Sequence, residues 1–238
     1  MLQEAELQPH RTLYWKQGYA PAFESKALDV LWYYERIEAL EAKGEPVCAL
    51  DWKPGLQLLG RPHEDRPMRP GCPRRREFEY IRLGVGLVFL MVRLATGRFR
   101  TAAPKSRSGP CLTRLLEEHL ETLPRAKRIH YILDNAPTPT SAHTRNWLTS
   151  QRGRVRFQHT PKSSAWLNQA ESGSNCFSAK YLRGRLWHSA DEFPSHVREA
   201  TRNYHRDYAH PFDWTFTRNR FHEWQRQKHR SRISSTGR

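Results

Sequence analysis

Arg128-Ile129-His130-Tyr131-Ile132-Leu133-Asp134-Asn135 is the stretch on which the reading of this chain turns. From Ile129 it runs apolar or aromatic until an acid closes it, the pattern of a short strand covered on both faces of a sheet. Val47-Cys48-Ala49-Leu50-Asp51 repeats the pattern and again ends on aspartate. A carboxylate at the end of a buried strand is costly unless it is hydrogen-bonded, paired or bound to a cation. A single strand-end Asp is commonly just a turn cap. Two of them suggest a site, because open α/β sheets bind ligands beyond the carboxyl ends of their strands.

Working outward, Phe23 to Lys43 predicts a helix, with apolar residues at three- and four-residue spacing and Gly44 as its C-cap. Pro54 to Arg76, rich in Pro, Gly and Arg, predicts an irregular loop. Glu77–Arg82 and Gly86–Leu94 predict two strands turning near Leu83-Gly84, and Arg98-Phe99-Arg100 opens a third. Cys111 to Thr122 predicts an amphipathic helix, and Pro137–Thr140 starts another that runs through Trp147 and Leu148. Val155 to Thr160 predicts a strand closed by Pro161. From Trp166 to Tyr208 the pattern is mostly helical, with Pro194 marking a second helix start. This mixed order predicts an α/β fold with helices on the faces of its sheet.

The 238 residues carry 40 Lys+Arg against 24 Asp+Glu, a formal charge of +16. Arg69, Arg74, Arg75, Arg76 and Arg82 form one basic block. Between Asn135 and Ala170 the charged residues are Arg145, Arg152, Arg154, Arg156 and Lys162, with no carboxylate. Such a surface repels itself unless a polyanion shares it, and phosphate backbone is the obvious partner. The longest apolar run, Leu83 to Val92, is ten residues, against ~20 needed to cross a bilayer. No membrane association is expected, and a cytoplasmic location is. The four cysteines show no metal-ligand spacing and are expected to be free thiols. Most of the twelve histidines are expected at the surface.

Glu171 is the only carboxylate between Asp134 and Asp191, with 36 residues between it and Asp134. It follows Trp166-Leu167-Asn168-Gln169-Ala170, where the chain leaves a strand and enters a helix. Asp51, Asp134 and Glu171, on separate elements, could hold two divalent cations. Mg²⁺ takes oxygen ligands, and two ions ~4 Å apart clamp both oxygens of an in-line displacement at phosphorus.

With those residues in place, the chain resembles the catalytic part of DDE transposases of the insertion sequence 630 family, in the mariner-like superfamily. The match is carried by Leu7-Gln8-Pro9-His10-Arg11 with Tyr14-Trp15; Ala27-Leu28-Asp29-Val30; Val47 to Asp51 with Lys53-Pro54; Arg76 to Tyr80; Leu133-Asp134-Asn135; Thr160-Pro161 with Trp166 to Gln169 and Glu171; and Pro211-Phe212 with Trp214-Thr215. The resemblance implies an RNase H-like mixed sheet with helices on both faces. The organisation expected is an N-terminal linker and helix over 1–44, a catalytic domain over 45–217 and a basic tail over 218–238. It also implies cleavage of element ends and joining to target DNA. Asp51, Asp134 and Glu171 would be catalytic ligands of two Mg²⁺ or Mn²⁺ ions, and no small-molecule substrate is expected. Arg74, Arg75, Arg76, Lys162, Trp166, Asn168 and Gln169 are the candidate DNA contacts. For Trp166, Asn168 and Gln169, roles in the core or as helix caps stand beside that one. A homodimer on DNA is the implied assembly.

Four departures accompany the resemblance. The chain starts where the family's helix-turn-helix modules end, so it is expected to lack the recognition half, as a fragment, a second reading frame or a remnant. Trp52 replaces a Glu usual after the first Asp, and Pro137 to Thr140 lack a usual His. Ser172-Gly173-Ser174-Asn175 stands where the family has bulky apolar residues. From this the Glu171 helix is expected to be poorly pinned, and Gly173→Trp with Ser174→Phe is expected to raise thermal stability. The alternative reading is a degenerate remnant that binds DNA without cutting it. A nuclease acting on RNA–DNA hybrids or structured DNA is a third.

Overall fold

The computed structural model describes residues 22–162 and 164–235. The resemblance carried by residues 7–11 and 14–15 lies outside them. Helices α1 (Phe23–Tyr34) and α2 (Ile37–Ala42) precede β1 (Val47–Gly60), β2 (Ile81–Arg93) and β3 (Arg98–Ala102). Then follow α3 (Gly109–Thr122), β4 (Ile129–Leu133), α4 (Ala142–Ser150), β5 (Val155–His159), α5 (Gln169–Phe177), α6 (Glu192–Asp207) and α7 (Arg218–Ser235). The strands form one sheet in the order β3-β2-β1-β4-β5. β1, β2 and β3 are antiparallel, while β4 and β5 run parallel to β1. The expected mixed sheet is therefore present.

Alternation along the strands splits the core into two layers. Val47 and Ala49 of β1, with Val88, Leu90 and Val92 of β2, face α1, α2, α5, α6 and α7. Cys48, Leu50, Phe89 and Met91 face the other way, onto Leu112, Leu115, Leu116 and Leu120 of α3 and Trp147 of α4. Helices thus cover both faces, and every residue of β4 is buried. The basic C-terminal stretch enters the core as well, where Phe221 of α7 is fully buried against Phe23.

Several expectations need correction. The strand predicted to stop at Asp51 continues to Gly60, through Pro54 and Gly55. Its pairing moves from Lys53–Val88 to Leu56–Gly86, so two residues of β1 oppose Leu87 alone. This is a bulge, which tolerates a proline without a ladder N–H and a glycine at φ 75°. The turn predicted at Leu83-Gly84 is likewise a register shift inside one long β2. The helix predicted over 23–43 breaks at Glu35-Arg36, where the Glu35 carboxylate accepts from Arg218 N and Nε, both at 2.7 Å. The helix expected from Pro137 starts at Ala142, capped by Ser141 Oγ. The stretch 183–191 is not helical. All four cysteines are free, as expected. His119 and His130 are buried rather than surface residues, bonded to Tyr131 Oη at 2.8 Å and to a Glu45 carboxylate at 3.0 Å.

Candidate active site

In the parallel pairing of β1 with β4, Ala49 stands opposite Ile132. Two residues further along each strand, that register brings Asp51 level with Asp134. Glu171 sits in the first turn of α5, which packs on β1. The three carboxylates line one cavity of about 470 Å³, together with Asn135, Thr160, Lys162 and Asn168. Among the described residues, no three His, Cys, Asp or Glu side chains are drawn close enough to share one ion. The acids face a common space without closing on it.

Each wall of that space is held by long-range hydrogen bonds. Asn168 is buried; its Nδ2 donates to Leu50 O at 2.8 Å and its Oδ1 accepts from Ala170 N at 3.2 Å. It caps α5 and ties the helix start to β1, so both ends of its amide are committed inside the protein. Tyr34 of α1 donates to Leu167 O at 2.5 Å and accepts from Gln169 N at 3.3 Å. Ser174, one helical turn beyond Glu171, donates to Asp51 Oδ2 at 2.5 Å. Asp134 is exposed and accepts from Ala136 N at 3.1 Å. Its loop is pinned to the end of β5 by Thr160 N to Leu133 O at 2.9 Å and by Asn135 Nδ2 to Thr160 O.

The helix carrying Glu171 is therefore firmly anchored, contrary to expectation. The reason is Phe99 of β3, whose ring fills the place predicted for an aromatic side chain on α5. A Cβ built on Gly173 would lie 3.0 Å from Phe99 Cζ and 3.4 Å from its Cε1. Phe99 itself stacks on Tyr204 with ring centroids 4.0 Å apart and meets Phe177 at 6.2 Å. A side chain at 173 would have to displace the Phe99 ring, because another strand already supplies the bulk.

Of the expected DNA contacts, Lys162 is exposed and lines the carboxylate cavity, while Trp166 is exposed and packs edge-on against Phe216 at 5.4 Å. Gln169 is half-buried. Arg74 and Arg76 lie apart from the cavity, on the 61–80 loop, where both bind Asp65; Arg75 is exposed beside them. Sequence reasoning missed Ser174, Lys53 and Asn175. A helical wheel would have flagged Ser174 and Asn175, three and four positions after Glu171, and strand alternation would have flagged Lys53, two after Asp51.

Burial pushes the Asp51 carboxyl up from 3.8 to about 6; the negative charges of Glu171 and Asp134 add to this, and the Ser174 hydrogen bond opposes it. The folded state thus holds a proton that the unfolded chain loses. The stability this contributes is complete below about pH 4 and is lost as pH rises through about 6. At ~1.4 kcal/mol per pH unit, the ionised group costs about 3 kcal/mol at neutral pH, as an order of magnitude. Asp51→Asn removes that cost while keeping an acceptor for Ser174. In chelator, its melting temperature should exceed wild type at pH 8 and converge with it near pH 4.5. A gap independent of pH would rule out this electrostatic account.

A sequence model of the DDE superfamily endonuclease family matches residues 56–194. The match includes Asp134 and Glu171 and begins five positions after Asp51. No curated protein matches the chain. Among solved structures, the chain is similar to the Mos1 mariner paired end complex with Mn, at 12% identity and a TM-score of 0.50, over 86% of this chain and 66% of that one. For the Mos1 strand transfer complex the values are 14% and 0.50, over 85% and 65%. For the Mos1 transposase catalytic domain with Raltegravir and Mn they are 10% and 0.50, over 77% and 84%. At these identities the likeness is one of fold, and the fold is the RNase H-like one expected. The chain spans about two thirds of the length of the Mos1 chains in the first two structures.

Proposed function

The chain belongs to the DDE superfamily endonuclease family, and from this we propose that it is a transposase catalytic domain that cuts DNA at element ends and joins the 3′ hydroxyl to target DNA. Within that family we assign it to the insertion sequence 630 type of the mariner-like superfamily. The observation that carries the reading is the shared cavity of Asp51, Asp134 and Glu171, brought from two adjacent strands and a helix.

The donors in that cavity suit hard cations. They are carboxylate oxygens, with no thiol or imidazole among the lining residues. Asp51 is also held back from ionising by burial and by two neighbouring acids, a penalty that a positive charge would reverse. Asp51, Asp134 and Glu171 are thus the residues that would hold two Mg²⁺ or Mn²⁺ ions. Such ions supply charge stabilisation at the phosphate and a lowered pKa for the attacking water or hydroxyl.

The chain's own residues do the rest. Ser174 orients the Asp51 carboxylate by occupying Oδ2. Asn168 keeps the start of α5, and with it Glu171, against Leu50 of β1. Lys162 puts a positive charge at the rim of the cavity, suited to a backbone phosphate. Trp166 and Gln169, on the segment leading into the Glu171 helix, are proposed to contact a base or sugar. The partners proposed are element-end and target DNA, with a homodimer assembling on DNA at the bacterial nucleoid. No described helix is long and apolar enough to cross a membrane.

The test is conversion of supercoiled plasmid to nicked and linear forms. It should occur with Mg²⁺ or Mn²⁺ and stop in chelator. DNA retention without nicking at any divalent-ion concentration would overturn the catalytic reading and leave the DNA-binding one.

A further inference from the structure

A second cleft, of about 720 Å³, lies between the bulged half of β1, the base of the 61–80 loop and the 183–187 segment. Six cationic side chains line it, Lys53, Arg61, Arg74, Arg76, Arg183 and Arg185, against one carboxylate, Asp65. Arg61 Nη1 reaches Asp65 at 2.8 Å and Arg76 Nε at 3.3 Å, and Arg74 binds it too. One carboxylate cannot neutralise three guanidinium groups. Arg61 Nε is, moreover, buried without an acceptor. The wall holds more donors and more positive charge than its own acceptors satisfy, which destabilises the folded chain unless an anion is shared.

The arginines are positioned rather than loose. Arg185 lies over the Trp187 ring at 4.9 Å and Arg61 over the Tyr80 ring at 5.5 Å. Guanidinium forks match phosphate oxygens, and Tyr80, 56% exposed, offers a face on which a base could stack. The cations come from three chain segments, an arrangement suited to successive phosphates rather than a single one. The cleft also adjoins the carboxylate cavity. Lys53 is two residues beyond Asp51 on β1, and its Nζ donates at 2.5 Å to Asn175 Oδ1, one turn beyond Glu171 on α5.

We propose that this cleft is a backbone groove for the DNA strand that passes through the carboxylate cavity. Arg183, Arg185, Lys53 and the arginines gathered on Asp65 contact its consecutive phosphates. The identity of the ligand rests on the DNA-cutting reading above; the groove itself rests on its own geometry and charge.

The experiment measures binding of fluorescent single-stranded and duplex oligonucleotides by anisotropy, between about 50 and 200 mM salt. The full chain is compared with Arg183→Ala/Arg185→Ala, both at exposed positions. A charge-matched control, Arg198→Ala/Arg202→Ala, lies on the exposed side of α6. The cleft variant should lose about tenfold in affinity, and its salt slope should fall by about 2, one for each phosphate contact removed. Arg183→Lys/Arg185→Lys should restore the slope, and the α6 control should stay near wild type. If the double alanine variant fails to fold, Arg183→Glu alone should still weaken binding. Equal loss in the α6 control would mean diffuse charge, and displacement of DNA by millimolar inorganic phosphate would mean a single-anion site; either overturns the groove. Unchanged affinity in the cleft variant, with wild-type nicking intact, overturns it while the transposase reading stands. Wild-type protein that binds no DNA overturns both.

Discussion

Asp134→Asn should abolish divalent-ion-dependent nicking of supercoiled plasmid, while DNA retention and the melting temperature stay close to wild type. Asp134 is exposed, and its side chain accepts one backbone bond, from Ala136 N at 3.1 Å. An amide oxygen can accept the same bond, so the loop after β4 has no reason to move. Substitutions at such surface positions stay within about 0.5 kcal/mol. What is lost is a negative oxygen donor in a set of three. If it helps hold the charge that stabilises the reacting phosphate, several kcal/mol of barrier reduction disappear. That corresponds to a rate loss of roughly 10³-fold. Nicking at the wild-type rate would remove Asp134 from the site. Asp51→Asn gives the complementary outcome, a dead enzyme that is more stable at pH 8, because the buried charge is a cost to the fold. A change that stabilises and inactivates together is the behaviour expected of a functional carboxylate.

Gly173→Trp should lower the melting temperature, by roughly 2–12 °C. The ring of Phe99 already stands 3.0 Å from where a Cβ would begin, and it cannot retreat without leaving Tyr204 and Phe177. Overpacking of this kind costs about 1–3 kcal/mol, and for a chain of this size each kcal/mol is worth about 2–4 °C. Ser174→Phe should add to the loss, since Ser174 is 2% exposed and its hydroxyl is the donor to Asp51. Adding Phe99→Ala to Gly173→Trp should recover part of the stability, because the indole then enters the vacated space; such coupling identifies neighbours competing for one volume. A rise in melting temperature for Gly173→Trp alone would show that α5 lacks an anchor after all. The measurement is thermal unfolding in chelator at a single pH.

Asp51 and Asp134 were legible because burial leaves a local trace. Val47 to Leu50 and Ile129 to Leu133 are apolar or aromatic on both faces, the mark of a strand covered on both sides. Glu171 stood out by isolation, an acid in a basic stretch. The bulge at Pro54-Gly55 was not legible, because the same two residues that end a strand in isolation are tolerated inside one when a neighbour's register absorbs them. The role of Asn168 was open, since its amide suits a cap and a DNA contact equally until Leu50 O is seen 2.8 Å away.

By itself, then, the order of apolar and polar residues determined the alternation of strands and helices, which strand segments are buried, and which acids follow their apolar runs. These depend on spacing of two to four residues, which any window of sequence contains. Tertiary structure alone decided that Phe99 fills the space beside Gly173, that Ser174 serves Asp51, and that arginines from three segments share a cleft. Those partners are far apart along the chain, and whether two distant side chains compete for a volume or share a bond depends on how closely their backbones approach, which packing sets.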